Sequence, residues 1–119
     1  MLDAQATTEM LIHVADRVIA AKDLLTEADR MGDADHGIGM ARGFSAARKQ
    51  LEGFAAESPA GALKTLGTTL MATIGGASGA VFGTLFRSGA EAIADASRLG
   101  AGEYAAFLSA GLAGVQKRG

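Results

Sequence analysis

With 119 residues, 11 basic and 13 acidic side chains and a formal charge of −2, the chain is long enough for one domain with a real hydrophobic core, and it has no bulk positive charge to attract nucleic acid. It has no cysteine, which removes disulfides, zinc–thiolate sites and thiol catalysis and fits a reducing compartment. No apolar run reaches the roughly 18 residues of a membrane span, and the first residues, Met1-Leu2-Asp3-Ala4-Gln5, lack a basic region leading into an apolar stretch, so a soluble, cytoplasmic protein without a signal peptide is expected.

Glycine numbers 17 against a single proline, and aromatic residues make up 5% of the chain, a balance that argues for closely packed helices rather than strands. From Ala4 to Glu27 apolar residues recur at helical spacing, with Leu11, Val14, Ala15, Val18, Ile19, Leu24 and Leu25 on one broad face. This predicts an amphipathic helix of about six turns. His13 falls off that face and reads as a helix-surface residue rather than a ligand.

An acidic loop follows over residues 28–36, and a second helix is expected from His36 or Gly37 to about Glu52. Met40 and Phe44 form its apolar stripe, Gly39 and Gly43 share a face, and Arg42, Arg48 and Lys49 read as solvated, with Arg42 in reach of a phosphate. Ser58-Pro59 is a helix start with Ser as cap and Pro in the first turn, which sets a third helix over Pro59 to Ile74 with Leu63, Leu66, Leu70, Met71 and Ile74 inward. Its Thr68, Thr69 and Thr73 are tolerated if their hydroxyls bond back to the preceding turn.

Gly75-Gly76-Ala77-Ser78-Gly79 is a tight turn between helices, with Ser78 placed to cap amides or to meet a phosphate oxygen. A fourth, largely buried helix is expected from Gly79 to about Arg98, with an Arg87–Glu91 pair on its wet side, and a fifth from Glu103 to about Gln116.

The stretch from Gly32 to Phe44, Gly-Asp-Ala-Asp-His-Gly-Ile-Gly-Met-Ala-Arg-Gly-Phe, crowds two carboxylates, an imidazole and four glycines into thirteen positions, with Asp29 just upstream. Gathered carboxylates repel unless a cation sits among them, and Asp oxygens select a hard ion such as Mg²⁺. Glycines let backbone amides approach a ligand, and a helix start adds partial positive charge that suits phosphate. Metal and phosphate together point to a nucleotide.

The two motifs at 32–44 and 75–79, the second followed by Phe82-Gly83-Thr84, resemble the nucleotide-binding L subunit of dihydroxyacetone kinases, and the resemblance runs over essentially the whole chain. It implies an all-α antiparallel helical barrel whose open end holds ADP or ATP with two Mg²⁺ ions. On this resemblance Asp33, Asp35 and, third, Asp29 are the metal ligands. His36, Gly37, Ile38 and Gly39 lie along the phosphates, and Ala77 and Ser78 form the second phosphate turn. Asp29 stands four residues before Asp33 where the family usually has five, and Gly39 stands where an Asn is common. The family domain is nearly twice as long, so residues 1–119 correspond to its N-terminal part. About five helices form an incomplete barrel with an apolar inner face that needs cover, by another chain or by a second half.

The implied activity is phosphoryl transfer to dihydroxyacetone or a similar short ketose on a separate K subunit. The phosphate comes from exchangeable ATP or from a resident ADP rephosphorylated by a phosphotransferase-system protein. No general base or nucleophile stands out in the chain itself. Two other readings remain open: a non-catalytic helical binding or regulatory module of the same fold, and a same-fold kinase for another acceptor, such as a carrier-held fatty acid. The latter's motif more often reads Asp-Gly-Asp-Thr-Gly, against Asp35-His36 here.

Overall fold

A computed structural model describes residues 2–21, 36–53 and 55–118, and of residues 36 and 37 the backbone alone. The described residues form five helices: α1 (Ala4–Ala20), α2 (His36–Glu52), α3 (Pro59–Thr73), α4 (Gly76–Ala92) and α5 (Ala101–Arg118). The fold is all-α, and extended pairing among the described residues is confined to an isolated bridge between Leu2 and Leu99.

Each helix start has a local chemical cause. Asp3 caps α1, its carboxylate accepting from the Ala6 amide at 2.8 Å, and Ser58 caps α3 by accepting from the Gly61 amide at 3.1 Å, with Pro59 in the first turn. Two of the three α3 threonines bond back as expected: Thr69 donates to Thr65 O at 2.8 Å and Thr73 to Thr69 O at 2.6 Å, while Thr68 makes no such bond among the described residues and lines the groove towards α2. At the start of α5 the Gly100 amide donates to Glu103 Oε1 at 2.9 Å, the Glu half of a capping box, and Gly100 O accepts the first helical bond from Tyr104 N, so the helix opens at Ala101, two residues before the expected Glu103.

Three other boundaries differ from the sequence reading. Helix α1 ends at Ala20, because Ala21 has left helical geometry at ψ 5°; the expected continuation over 22–27 lies outside the described residues. Helix α4 begins at Gly76 rather than Gly79. Gly76 has φ 68°, a left-handed value that glycine adopts without steric cost, so the chain reverses across Ile74 and Gly75 alone. It also stops at Ala92 rather than Arg98. Leu99 is drawn into the bridge with Leu2, with N to O distances of 3.0 and 2.5 Å, and that pairing needs extended backbone.

Helices α3, α4 and α5 pack as an antiparallel row. Gly67 lies against Phe86 and Arg87, Gly83 against Met71, Gly89 against Phe107 and Gly111 against Leu85. Helix α1 packs on α2 and α3, and α2 packs on α3. The groove between α2 and α3 is lined by Ala46 and Gln50 on one side and by Gly61, Thr65, Thr68 and Thr69 on the other. Because Gly43 of α2 already meets Ile74, just past the end of α3, α2 runs back along α3 in the opposite direction.

The core gathers Leu11 and Ala15 of α1, Met40, Phe44 and Leu51 of α2, and Leu63, Leu66 and Leu70 of α3. The face of α1 is narrower than expected, since Val14 is 39% exposed. Helix α4 is not largely buried. Its inward face is Gly79, Gly83, Thr84, Gly89 and Ala90, small residues that bring helix axes together, while Val81 is exposed. Helix α5 turns Phe107 and Gly111 inward and leaves Tyr104, Leu108 and Leu112 exposed at i, i+4, i+8 spacing.

Arg48, expected to be solvated, instead ties α2 to α1 by donating from Nε to Asp16 Oδ1 at 2.5 Å; it also pairs with Glu52. The Asp16 hydrogen bond is the main reason its pKa is raised, so the guanidinium stays charged. Arg87 lies with Nη1 3.6 Å from Met71 Sδ, and the expected pair with Glu91 is not among the ion pairs of the described residues.

The hydroxyl of Thr7, fully buried on α1, has no hydrogen-bond partner among the described residues. Thr7→Val replaces that orphaned hydroxyl by a methyl of similar shape, and it is expected to stabilise the fold by about 1 kcal/mol. A thermal melt then shows a gain of roughly 4 °C; an unchanged or lower midpoint means the hydroxyl is satisfied in solution.

Candidate functional site

The two glycine-containing motifs meet at one end of the helical row, and the residues that join them, Arg42 and Gly43, lie about two turns inside the start of α2. Gly43 has no side chain, and a Cβ there would overlap Ile74, the residue that closes α3. Beside it Arg42 Nε donates to Thr73 O at 3.3 Å. Gly39 is one turn closer to the start of α2, and Gly75 and Gly76 follow Ile74 directly. The starts of α2 and α4 therefore flank the same corner. Helix starts carry unpaired amides and partial positive charge, so two of them at one corner favour an anion.

Among the described residues, nothing fills the space beside the glycines of this corner. A Cβ built at Gly39, Gly75 or Gly76 would meet nothing within 4 Å. Neither α2 nor α4 has an acidic residue in its first turn. Ile38 is 51% exposed at the third position of α2.

Ala77 is exposed and Ser78 half-buried in the first turn of α4. Ser78 does not cap: the N-cap is Gly75, and α4 has no side-chain cap hydrogen bond, which leaves its first amides without a partner from a capping side chain. That is the arrangement a phosphate oxygen fits.

Of the expected site residues, Ile38, Gly39, Ala77 and Ser78 are brought to this corner. The backbone of His36 and Gly37 opens α2, and Asp29, Asp33 and Asp35 lie outside the described residues. Among the described residues no group of three His, Cys, Asp or Glu side chains comes together to hold a metal. The sequence marks Gly43 as a point of close approach without giving its partner, and it places Arg42 equally well at the surface or on a phosphate. A hydrogen bond to a residue 31 positions later has no local signature.

Comparison with known proteins gives this geometry a family. The DAK2 domain model matches residues 30–119, which include both motifs and all the helices from α2 onward. The chain belongs to the DAK2 domain family. Three curated relatives are similar to this DAK2-domain chain. The PEP-dependent dihydroxyacetone kinase 1 ADP-binding subunit DhaL of Listeria innocua is 40% identical over 108 residues, 87% of this chain and 52% of that protein. The PEP-dependent ADP-binding subunit DhaL of Escherichia coli is 38% identical over 92% of this chain and 52% of its own length. The PTS-dependent ADP-binding subunit DhaL of Lactococcus lactis is 33% identical over 100% of this chain and 60% of its own. The DAK2-domain chain thus spans about half the length of the first two relatives.

Proposed function

We propose that this chain is the nucleotide-holding part of the ADP-binding subunit of a dihydroxyacetone kinase. The observation that carries the reading is the meeting of two helix starts at one open corner, joined through Gly43 against Ile74 and Arg42 on Thr73. The names of the relatives, ADP-binding subunits all, agree with a diphosphate there.

The amides at the starts of α2 and α4 hold the phosphates, with Ile38 and Gly39 on one side and Ala77 and Ser78 on the other. Asp29, Asp33 and Asp35 hold Mg²⁺, two ions by family resemblance. Bound Mg²⁺ supplies charge neutralisation across the phosphate oxygens. The part played by this chain is to fix the donor, because phosphoryl transfer depends mainly on positioning and electrostatics.

The acceptor, dihydroxyacetone or a similar short ketose, sits on a separate K subunit. The PEP- and PTS-dependent names of the relatives favour a resident ADP rephosphorylated by a phosphotransferase-system protein over exchange with ATP. The exposed Tyr104, Leu108 and Leu112 stripe of α5 is the face that the rest of a barrel, or another chain, covers. No helix among the described residues is long and apolar enough to cross a membrane.

Calorimetric titration with ADP in the presence and absence of MgCl₂ tests the reading. Magnesium-dependent binding is expected, with Asp33→Asn and Asp35→Asn each weakening it about tenfold through loss of a charged metal ligand. Equal affinity in both variants and in the unmodified chain removes the metal assignment.

A further inference from the structure

The corner that would hold the diphosphate contains an electrostatic conflict. Helix α3 ends at Thr73 and α4 begins at Gly76, so the negative end of one helix dipole stands two residues from the positive end of the next. A phosphate drawn to the α4 amides would therefore lie beside the last carbonyls of α3. Helix α3 carries no basic residue in its last turn to offset them. The cation comes from α2: Arg42 is exposed, and its Nε donates to Thr73 O at 3.3 Å.

We propose that Arg42 is a positioning residue for the nucleotide, neutralising the α3 C-terminus so that a diphosphate can sit at the α4 N-terminus. The inference rests on the reading of this corner as a nucleotide site and adds a residue to it. Two independent features support the role. Gly43, the next residue, packs against Ile74 and fixes the height of Arg42 relative to the turn. Arginine also presents five N–H donors, so Nε bonding to Thr73 O leaves further donors on the same guanidinium. The guanidinium can thus hold the carbonyl and lend positive charge to the corner at the same time.

The test compares the unmodified chain with Arg42→Lys, Arg42→Gln and Arg42→Ala by ADP calorimetry with MgCl₂ at low and high salt, and by thermal melts without ligand. If charge is what matters, Arg42→Gln and Arg42→Ala each lose about tenfold in ADP affinity at low salt while Arg42→Lys loses about threefold or less. The differences shrink at high salt, because exposed charges are screened. Ligand-free melting points of the Lys and Gln variants stay within about 2 °C of the unmodified chain, as for other surface changes. Unchanged affinity in Arg42→Gln overturns the proposal. So do equal losses in Lys and Gln that track a falling melting point, which would mark a purely structural role. Absence of ADP binding by the unmodified chain removes the nucleotide reading itself, and this inference with it, a result distinct from both.

Discussion

Gly79→Ala is expected to be among the most damaging single substitutions in the described part of the chain. A Cβ at that position would overlap the carbonyl oxygen and carbon of Ile74, which are backbone atoms that no rotamer change can move. The turn that reverses α3 into α4 would have to open, and the buried small-residue face of α4 would lift away from α3. Overpacking a tight core costs about 1–3 kcal/mol, and a clash with backbone lies at or above the upper end of that range. For a domain of this size about 3 kcal/mol lowers the melting point by roughly 10 °C. Chemical denaturation of the Gly79→Ala chain checks the value. A loss under about 1 kcal/mol would mean the turn has room that the geometry denies it. Because the same movement displaces the first amides of α4, ADP affinity should fall along with stability.

Leu66→Ala is the second large loss expected. Leu66 is completely buried in the middle of α3, the helix that touches α1, α2 and α4. Truncating a leucine in such a place removes its transfer free energy and leaves a cavity, together about 2–5 kcal/mol. The loss should lie toward the upper part of that range, since three packed neighbours limit collapse into the gap. The signature differs from that of Gly79→Ala. The α3–α4 turn keeps its geometry, so ADP affinity measured well below the melting point should stay close to that of the unmodified chain. A denaturation midpoint that barely moves would show that the site relaxes to fill the space.

Much of this architecture is legible in the residues because its causes are local. Ser58 and Pro59 announce α3, and its Leu63, Leu66, Leu70 and Ile74 are all buried as their spacing predicts. Met40 and Phe44 likewise form the inner stripe of α2. The boundaries that differ have causes the local pattern does not carry. Gly79 reads as the first residue of α4, at the end of a tight turn, yet it lies inside the helix as a contact point against Ile74. Leu99 falls in the link after the expected end of α4, and what holds it is Leu2, nearly a hundred positions earlier.

At the candidate site, the glycine spacing marks the two motifs that lie at this corner. The links across it, Arg42 to Thr73 and Gly43 to Ile74, join residues 31 positions apart and become visible only when α2 lies against α3. The assignment of Ser78 as a possible cap shows the same limit. A serine beside a glycine turn is a reasonable cap in sequence, but the helix had already started at Gly76 and left Ser78 in its third position.

The pairing of Leu2 with Leu99 makes the chain's topology differ from that of a simple helical row. Helices α2 to α5 are joined in sequence order, and such neighbours find one another early because little entropy is lost in bringing them together. The Leu2–Leu99 clasp closes a loop of nearly a hundred residues and can form only after α1 has found its place. Its two hydrogen bonds couple Leu2, just ahead of α1, to the corner before α5, so this residue acts as a latch on an element formed nearly a hundred positions later.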